Sequence, residues 1–345
     1  MSSPSGRRIA AAAAAVAATG GAAWLTSRAR RAEAEPLPSV LPDARTCTVA
    51  SADGTEIHVR EFGPENGPSL VLVHAWMCSI ELWHRQIAAL SEEARIIALD
   101  LRGHGRSSFA PTLDYSIEGF AEDLRAVLAD RLADGERAVL AGHSMGGMTI
   151  AAWALEHPGE VPERCAGVAM IGTGLGDLAS ESLVIRAPER LDGLTERAEQ
   201  ALLTTEIPFD TAPEALVRAA TRAIAFGTDC RAEDVELVAR MVRACPRRVR
   251  GLSGGTLSRL EVHEGLAHLD VPATVIAGRE DRMTPPVHAH KLAGLLPRSP
   301  EVIEAPGSGH MVPLEADALV TAELRRLLGE AEHRQRGRRA KARAG

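Results

Sequence analysis

The sequence predicts an α/β fold: a mostly parallel sheet flanked by helices, with a helical cap inserted between two of its strands. Three observations carry this. Short apolar runs alternate with helical patterns after an opening hairpin. Gly142-His143-Ser144-Met145-Gly146 joins a buried run, Ala138 to Ala141, to an alanine-rich helical pattern that continues from Met148 to Glu156. The alternation lapses once, between Gly174 and about His268, where only helical patterns are found.

Taken in order, Thr46 to Ser51 and Thr55 to Glu61 read as two strands around the turn signal Asp53-Gly54. Leu70 to His74 is a continuous apolar run, as a strand buried on both faces requires. A helix over Ile80 to Leu90 and a strand over Arg95 to Leu99 follow, the strand ending at Asp100-Leu-Arg-Gly-His-Gly-Arg-Ser107. Phe120 to Leu132 has helical spacing, with Ser116 as its cap. After the glycine-flanked serine come strands at Cys165 to Ile171, Ala273 to Ala277 and Glu301 to Glu304. Helices over Pro285 to Leu296 and Pro313 to Leu328 each open on proline, which suits a first turn. In the lapse, Ala212 to Phe226 and Ala232 to Ala244 are helical, the second stopped by Pro246. The expected organisation is therefore an N-terminal segment and linker over 1–44, a core over 45–174 and 268–330, a cap over 175–267, and a basic disordered tail over 331–345.

The chain of 345 residues is 45% hydrophobic and 25% charged, enough for one large core with an insertion. Its net charge of -7 argues against nucleic acid as a partner. The five cysteines are odd in number and lack a C-x-x-C spacing, so neither a disulfide framework nor a zinc site is implied. Arg7-Arg8 precede an uncharged run from Ile9 to Leu25, closed by Ser27-Arg-Ala-Arg-Arg31. This run sits at the lower edge of a bilayer span, about 17 residues. It reads as a membrane anchor or an export signal, which would place the chain at or beyond a membrane. The competing reading is an alanine-rich cytoplasmic extension.

The serine needs a base, the base an orienting acid, and the developing oxyanion preorganised donors. Asp281 lies just past the strand in Val275-Ile-Ala-Gly-Arg-Glu-Asp281, with Glu280 and Asp177 as rivals. His310, in Gly307-Ser-Gly-His310, follows the last strand in a loop that can reach Ser144. Of the 12 histidines, His143 adjoins the serine and diverges from it, and His74 suits a loop-shaping role. His104 sits in a turn, while His288 and His290 cannot share a ligand. The backbone N–H of Met145, at a helix N-terminus, and that of Trp76, in His74-Ala-Trp-Met-Cys78, are the expected oxyanion donors.

With these blocks in order, the chain resembles the α/β-hydrolase superfamily, in its cap-bearing branch of small esterases, lipases and perhydrolases. The resemblance spans about Thr46 to Leu328 and rests on Asp100–Ser107, Gly142–Gly147, Gly278–Asp281 and Gly309–Pro313. It implies a Ser144, Asp281, His310 triad and no metal or organic cofactor. One departure touches the oxyanion loop: the family has His-Gly where this chain has His74-Ala75.

The expected function is hydrolysis of a small or medium carboxylic ester through an acyl-Ser144 intermediate. A C–C bond hydrolase or lyase, or a cofactor-free perhydrolase, would use the same triad. A non-catalytic module holding an apolar ligand is the alternative of a different class. A serine at the turn disfavours the aspartate-nucleophile relatives. Aromatic content of 3% predicts an aliphatic pocket.

Overall fold

The computed structural model describes residues 41–176, 178, 182, 184, 203–206 and 208–344. The run Ile9 to Leu25, the rival acid Asp177 and most of 177–207 lie outside these. Among the described residues no helix is long and apolar enough to cross a membrane.

Strands β1 (Arg45–Ala50) and β2 (Glu56–Phe62) form the expected hairpin, paired antiparallel from Arg45↔Glu61 to Ala50↔Glu56. Gly54 supplies the left-handed residue of its turn, with φ +84. Then follow β3 (Ser69–Val73), a 3₁₀ turn (Ile80–Trp83), α1 (His84–Leu90), β4 (Arg95–Leu99) and α2 (Ile117–Arg131). Ser116 caps α2 as expected, its hydroxyl accepting the Gly119 N–H at 3.1 Å. Next come β5 (Ala138–His143), α3 (Met145–Glu156), α4 (Val161–Arg164) and β6 (Cys165–Ile171). The chain passes through α5 (Glu214–Ala225), α6 (Ala232–Ala244), α7 (Arg247–Leu257) and a 3₁₀ turn (His263–His268). It returns to the sheet with β7 (Ala273–Gly278), α8 (Pro286–Leu295), β8 (Val302–Ala305), α9 (Val312–Glu315) and α10 (Asp317–Ala344).

The sheet has eight strands in the order β1-β2-β4-β3-β5-β6-β7-β8, parallel from β4 through β8. Period-two alternation divides its side chains between two cores. Val71, Val73, Ile97, Leu99, Leu140, Val168 and Val275 face α2, α3 and α8. Leu70, Leu72, Ile96, Ala98, Val139, Ala169 and Ile276 face α1 and α10. Burial of each such Val, Leu or Ile contributes roughly 1.5–3 kcal/mol. This explains why β6 is apolar throughout and why β3 and β5 are apolar apart from Ser69 and His143 at their ends. Because β3 to β8 run in one direction, the loops after them gather at one edge of the sheet.

The structure differs from the sequence reading in two places. Where a disordered tail is expected from 331, α10 continues to Ala344. Its alanines, arginines and glutamates favour helix, and Arg326–Glu330 at 2.7 Å and Glu332–Arg336 at 3.7 Å pair one turn apart. The second concerns α7, which the pattern did not foretell. Gly251, Gly254 and Gly255 depress helix propensity there, but packing against the core offsets that cost. A side chain on Gly254 would collide with the Leu203 carbonyl and crowd the Trp76 indole.

Candidate active site

Ser144 stands between β5 and α3 with φ 51 and ψ -117, a conformation that costs a non-glycine residue about 1–3 kcal/mol. The surroundings enforce it. Ser144 N–H donates to the Ile171 carbonyl at 3.0 Å, and the Ser144 carbonyl accepts the Thr173 hydroxyl at 2.7 Å. A Cβ on Gly146 would run into the Val73 carbonyl, and one on Gly142 into the Gly146–Gly147 peptide. Both glycines are thus required by close backbone approach.

Asp281 and His310 arrive from the loops after β7 and β8. His310 Nδ1–H donates to Asp281 Oδ2 at 2.8 Å, and both residues are buried. This fixes the tautomer and leaves Nε2 with a lone pair. Asp281 Oδ1 accepts the N–H groups of Met283 at 2.8 Å and Thr284 at 3.0 Å. The Thr284 hydroxyl lies 2.9 Å from Asp281 Oδ2 and 3.0 Å from the Gly172 carbonyl. Burial alone would push the Asp281 carboxyl up. His310 and these hydrogen bonds outweigh that and hold it below its ordinary value.

The serine and this pair are neighbours through two links. Gly172, bonded to Thr284, directly follows Ile171, whose carbonyl holds the Ser144 N–H. His143, the residue before Ser144, donates from Nε2 to the His310 carbonyl at 2.8 Å, with the two rings 5.0 Å apart. Burial, followed by the neighbouring His310, pushes the His143 imidazole down to about 3, so it is neutral. The rival Glu280 turns away, accepting the Thr228 N–H at 3.0 Å and hydroxyl at 2.8 Å.

Met145 opens α3, so its N–H lacks an intrahelical acceptor. The loop bearing Trp76 is braced from both sides. His74 Nδ1–H donates to the Ala75 carbonyl at 2.7 Å, and His74 Nε2 accepts the Leu101 N–H at 2.9 Å. Asp100 accepts the N–H groups of Ile80 at 2.9 Å and Arg106 at 3.0 Å, which ties the Asp100–Ser107 block to this loop. Ala75 has no positive φ, so the departure from glycine there carries no backbone strain; in this loop Met77, with φ 59, is the left-handed residue. From the insertion, Ser253 of α7 accepts the Trp76 indole N–H at 3.0 Å. His104 donates to the Arg102 carbonyl at 3.0 Å within its turn, and the exposed His290 bonds Glu304 at 2.9 Å.

Sequence reasoning missed Thr173, Thr284 and Ser253. Only Thr284, three residues after Asp281, carried a local signal, as a hydroxyl placed to close the turn. All five cysteines are free thiols. Among the described residues no cluster of three or more His, Cys, Asp or Glu side chains could hold a metal ion.

Comparison with known proteins agrees with this fold. Residues 68–317 match the family described as the alpha/beta hydrolase fold. A dihydrolipoyllysine-residue acetyltransferase component of an acetoin cleaving system from Pseudomonas putida is 31% identical over 279 residues, 80% of this chain and 67% of that relative. A pimeloyl-[acyl-carrier protein] methyl ester esterase from Aeromonas hydrophila is 26% identical over 250 residues, 72% of this chain and 89% of the relative. Among solved structures, an esterase from Rhodococcus sp. ECU1013 superposes with TM-score 0.67 at 25% identity, covering 82% of this chain and 98% of the other.

Proposed function

The chain belongs to the α/β hydrolase fold family, and from that membership and the surroundings of Ser144 we propose that it is a serine hydrolase of small or medium carboxylic esters. The observation that carries the reading is the buried His310–Asp281 hydrogen bond of 2.8 Å beside a serine held in a left-handed turn at a helix start. The esterases among its relatives support the substrate class.

In this reading Ser144 Oγ attacks the ester carbonyl while His310 Nε2 takes its proton. Asp281 stabilises the resulting imidazolium through Nδ1–H. The oxyanion is received by the N–H groups of Met145 and Trp76. Collapse expels the alcohol, which takes the proton from His310, and leaves acyl-Ser144. Water, deprotonated by the same histidine, then releases the acid.

The insertion serves as a cap over this site. Its contacts with two site loops support that role: Ser253 to Trp76 in the loop after β3, and Thr228 to Glu280 and the Arg282 guanidinium to the Ala223 carbonyl at 2.7 Å in the loop after β7. The uncharged run from Ile9 to Leu25 supports tethering at, or export across, a membrane.

Hydrolysis of p-nitrophenyl esters of graded chain length tests the assignment. Ser144→Ala and His310→Ala should each lower kcat by roughly 10⁴-fold with the fold intact, because the oxyanion donors and binding remain. Asp281→Asn should also cost heavily. Near-full activity in His310→Ala would remove His310 as the base. A small loss in Asp281→Asn beside a large one in Asp177→Asn would move the acid.

A further inference from the structure

We propose that Glu315 is a positioning residue for His310, its carboxylate fastening the loop that carries this histidine to the end of inserted helix α5. The proposal deepens the esterase reading and rests on it for the role of His310 as base.

Glu315 is the last residue of the short helix α9, just beyond His310. Its Oε1 accepts the Gly309 N–H at 3.0 Å, and its Oε2 accepts the Gly227 N–H at 2.7 Å. Gly309 immediately precedes His310. Gly227 lies just past the end of α5. One carboxylate therefore holds two backbone donors from segments far apart in sequence. Such charge-assisted bonds are about twice as strong as neutral ones.

The two segments are in backbone contact. A Cβ on Gly227 would crowd the Gly309 amide nitrogen at 2.5 Å, and one on Gly309 would meet the Gly227 amide in return. Neither glycine has positive φ, so space rather than conformation requires them. Around the carboxylate, His310 N–H donates to the Ala225 carbonyl at 2.8 Å and Asp229 N–H to the Gly307 carbonyl at 3.0 Å. Both glycines are buried, so without Glu315 two N–H groups would lose their acceptor away from water. Burial pushes the Glu315 carboxyl up to about 6 against the opposing pull of the two N–H bonds, and it is charged at neutral pH. The joint thus sits on the residue before the base and on the insertion. If it loosens, His310 shifts against both Asp281 and Ser144.

The test uses the full chain with Glu315→Ala and Glu315→Gln. Three readouts are taken: kinetics on p-nitrophenyl butyrate, melting temperature, and the downfield proton resonance of the His310 Nδ1–H bonded to Asp281. Glu315→Ala should lower kcat by roughly 10²-fold, as expected for a displaced catalytic group. KM should stay within about twofold, and the resonance should shift or broaden. Glu315→Gln, which keeps one acceptor oxygen, should recover part of the rate. If Glu315→Ala does not fold, Glu315→Gln alone decides, by a kcat loss at unchanged KM with a perturbed resonance. A rate loss no larger than the loss of folded protein, with the resonance at its wild-type position, would overturn the proposal. Should the wild type cleave no ester, the esterase reading fails by itself. The resonance then judges Glu315, and an unchanged signal overturns it.

Discussion

Gly146 is glycine because the Val73 carbonyl occupies the place where a side chain would go. Constraints of this kind make Ser144 hold its turn without help from substrate. The same scale decides the ionisation of Asp281. Its carboxyl sits below the ordinary 3.8, although burial opposes this, so its charge stabilises the folded chain above that value. The contribution is full at neutral pH and is lost as pH falls below 3.8 through the folded-state value. Urea melts of wild type and Asp281→Asn should therefore differ most at pH 7, and the difference should shrink below about pH 4. A gap that stays constant across this range would show that the charge of Asp281 does not stabilise the fold.

Elements differ in how far the sequence discloses them. The sheet was legible because each strand between β3 and β7 is a short apolar run closed by turn residues, and both faces of the sheet are covered by helices. Ser144, Asp281 and His310 were legible because each follows a strand in a recognisable local pattern. The supporting contacts were not. Trp76 meets Ser253 across 177 positions and Gly227 meets Glu315 across 88, so no local spacing announces either. Helix α7 was hidden by its glycines, of which close packing against Leu203 and Trp76 requires Gly254. The continuation of α10 was hidden by charge that reads as a solvated tail. If the insertion is a cap, apolar side chains on its helices should govern selectivity. Phe209 and Ile224, both half-buried, are the described candidates. Leu202, expected to act in the same way, lies outside the described residues. Ile224→Ala should change the ratio of kcat/KM between short and long acyl esters by roughly tenfold, with little change in melting temperature. Equal losses for every ester, tracking a fall in melting temperature, would make Ile224 an ordinary core residue.

At the scale of the whole molecule, topology concentrates chemistry. The parallel run from β4 to β8 delivers the loops with Trp76, Ser144, Thr173, Asp281 and His310 to one edge of the sheet. The insertion between β6 and β7 bonds three of these loops at that edge. We propose that this arrangement activates Ser144 as a nucleophile. Labelling with a fluorophosphonate, followed by mass spectrometry of the digested protein, measures this most directly. One adduct per chain is expected, on Ser144, formed much more slowly in His310→Ala. No adduct in the folded wild type, or an adduct on another residue that persists in Ser144→Ala, would contradict it.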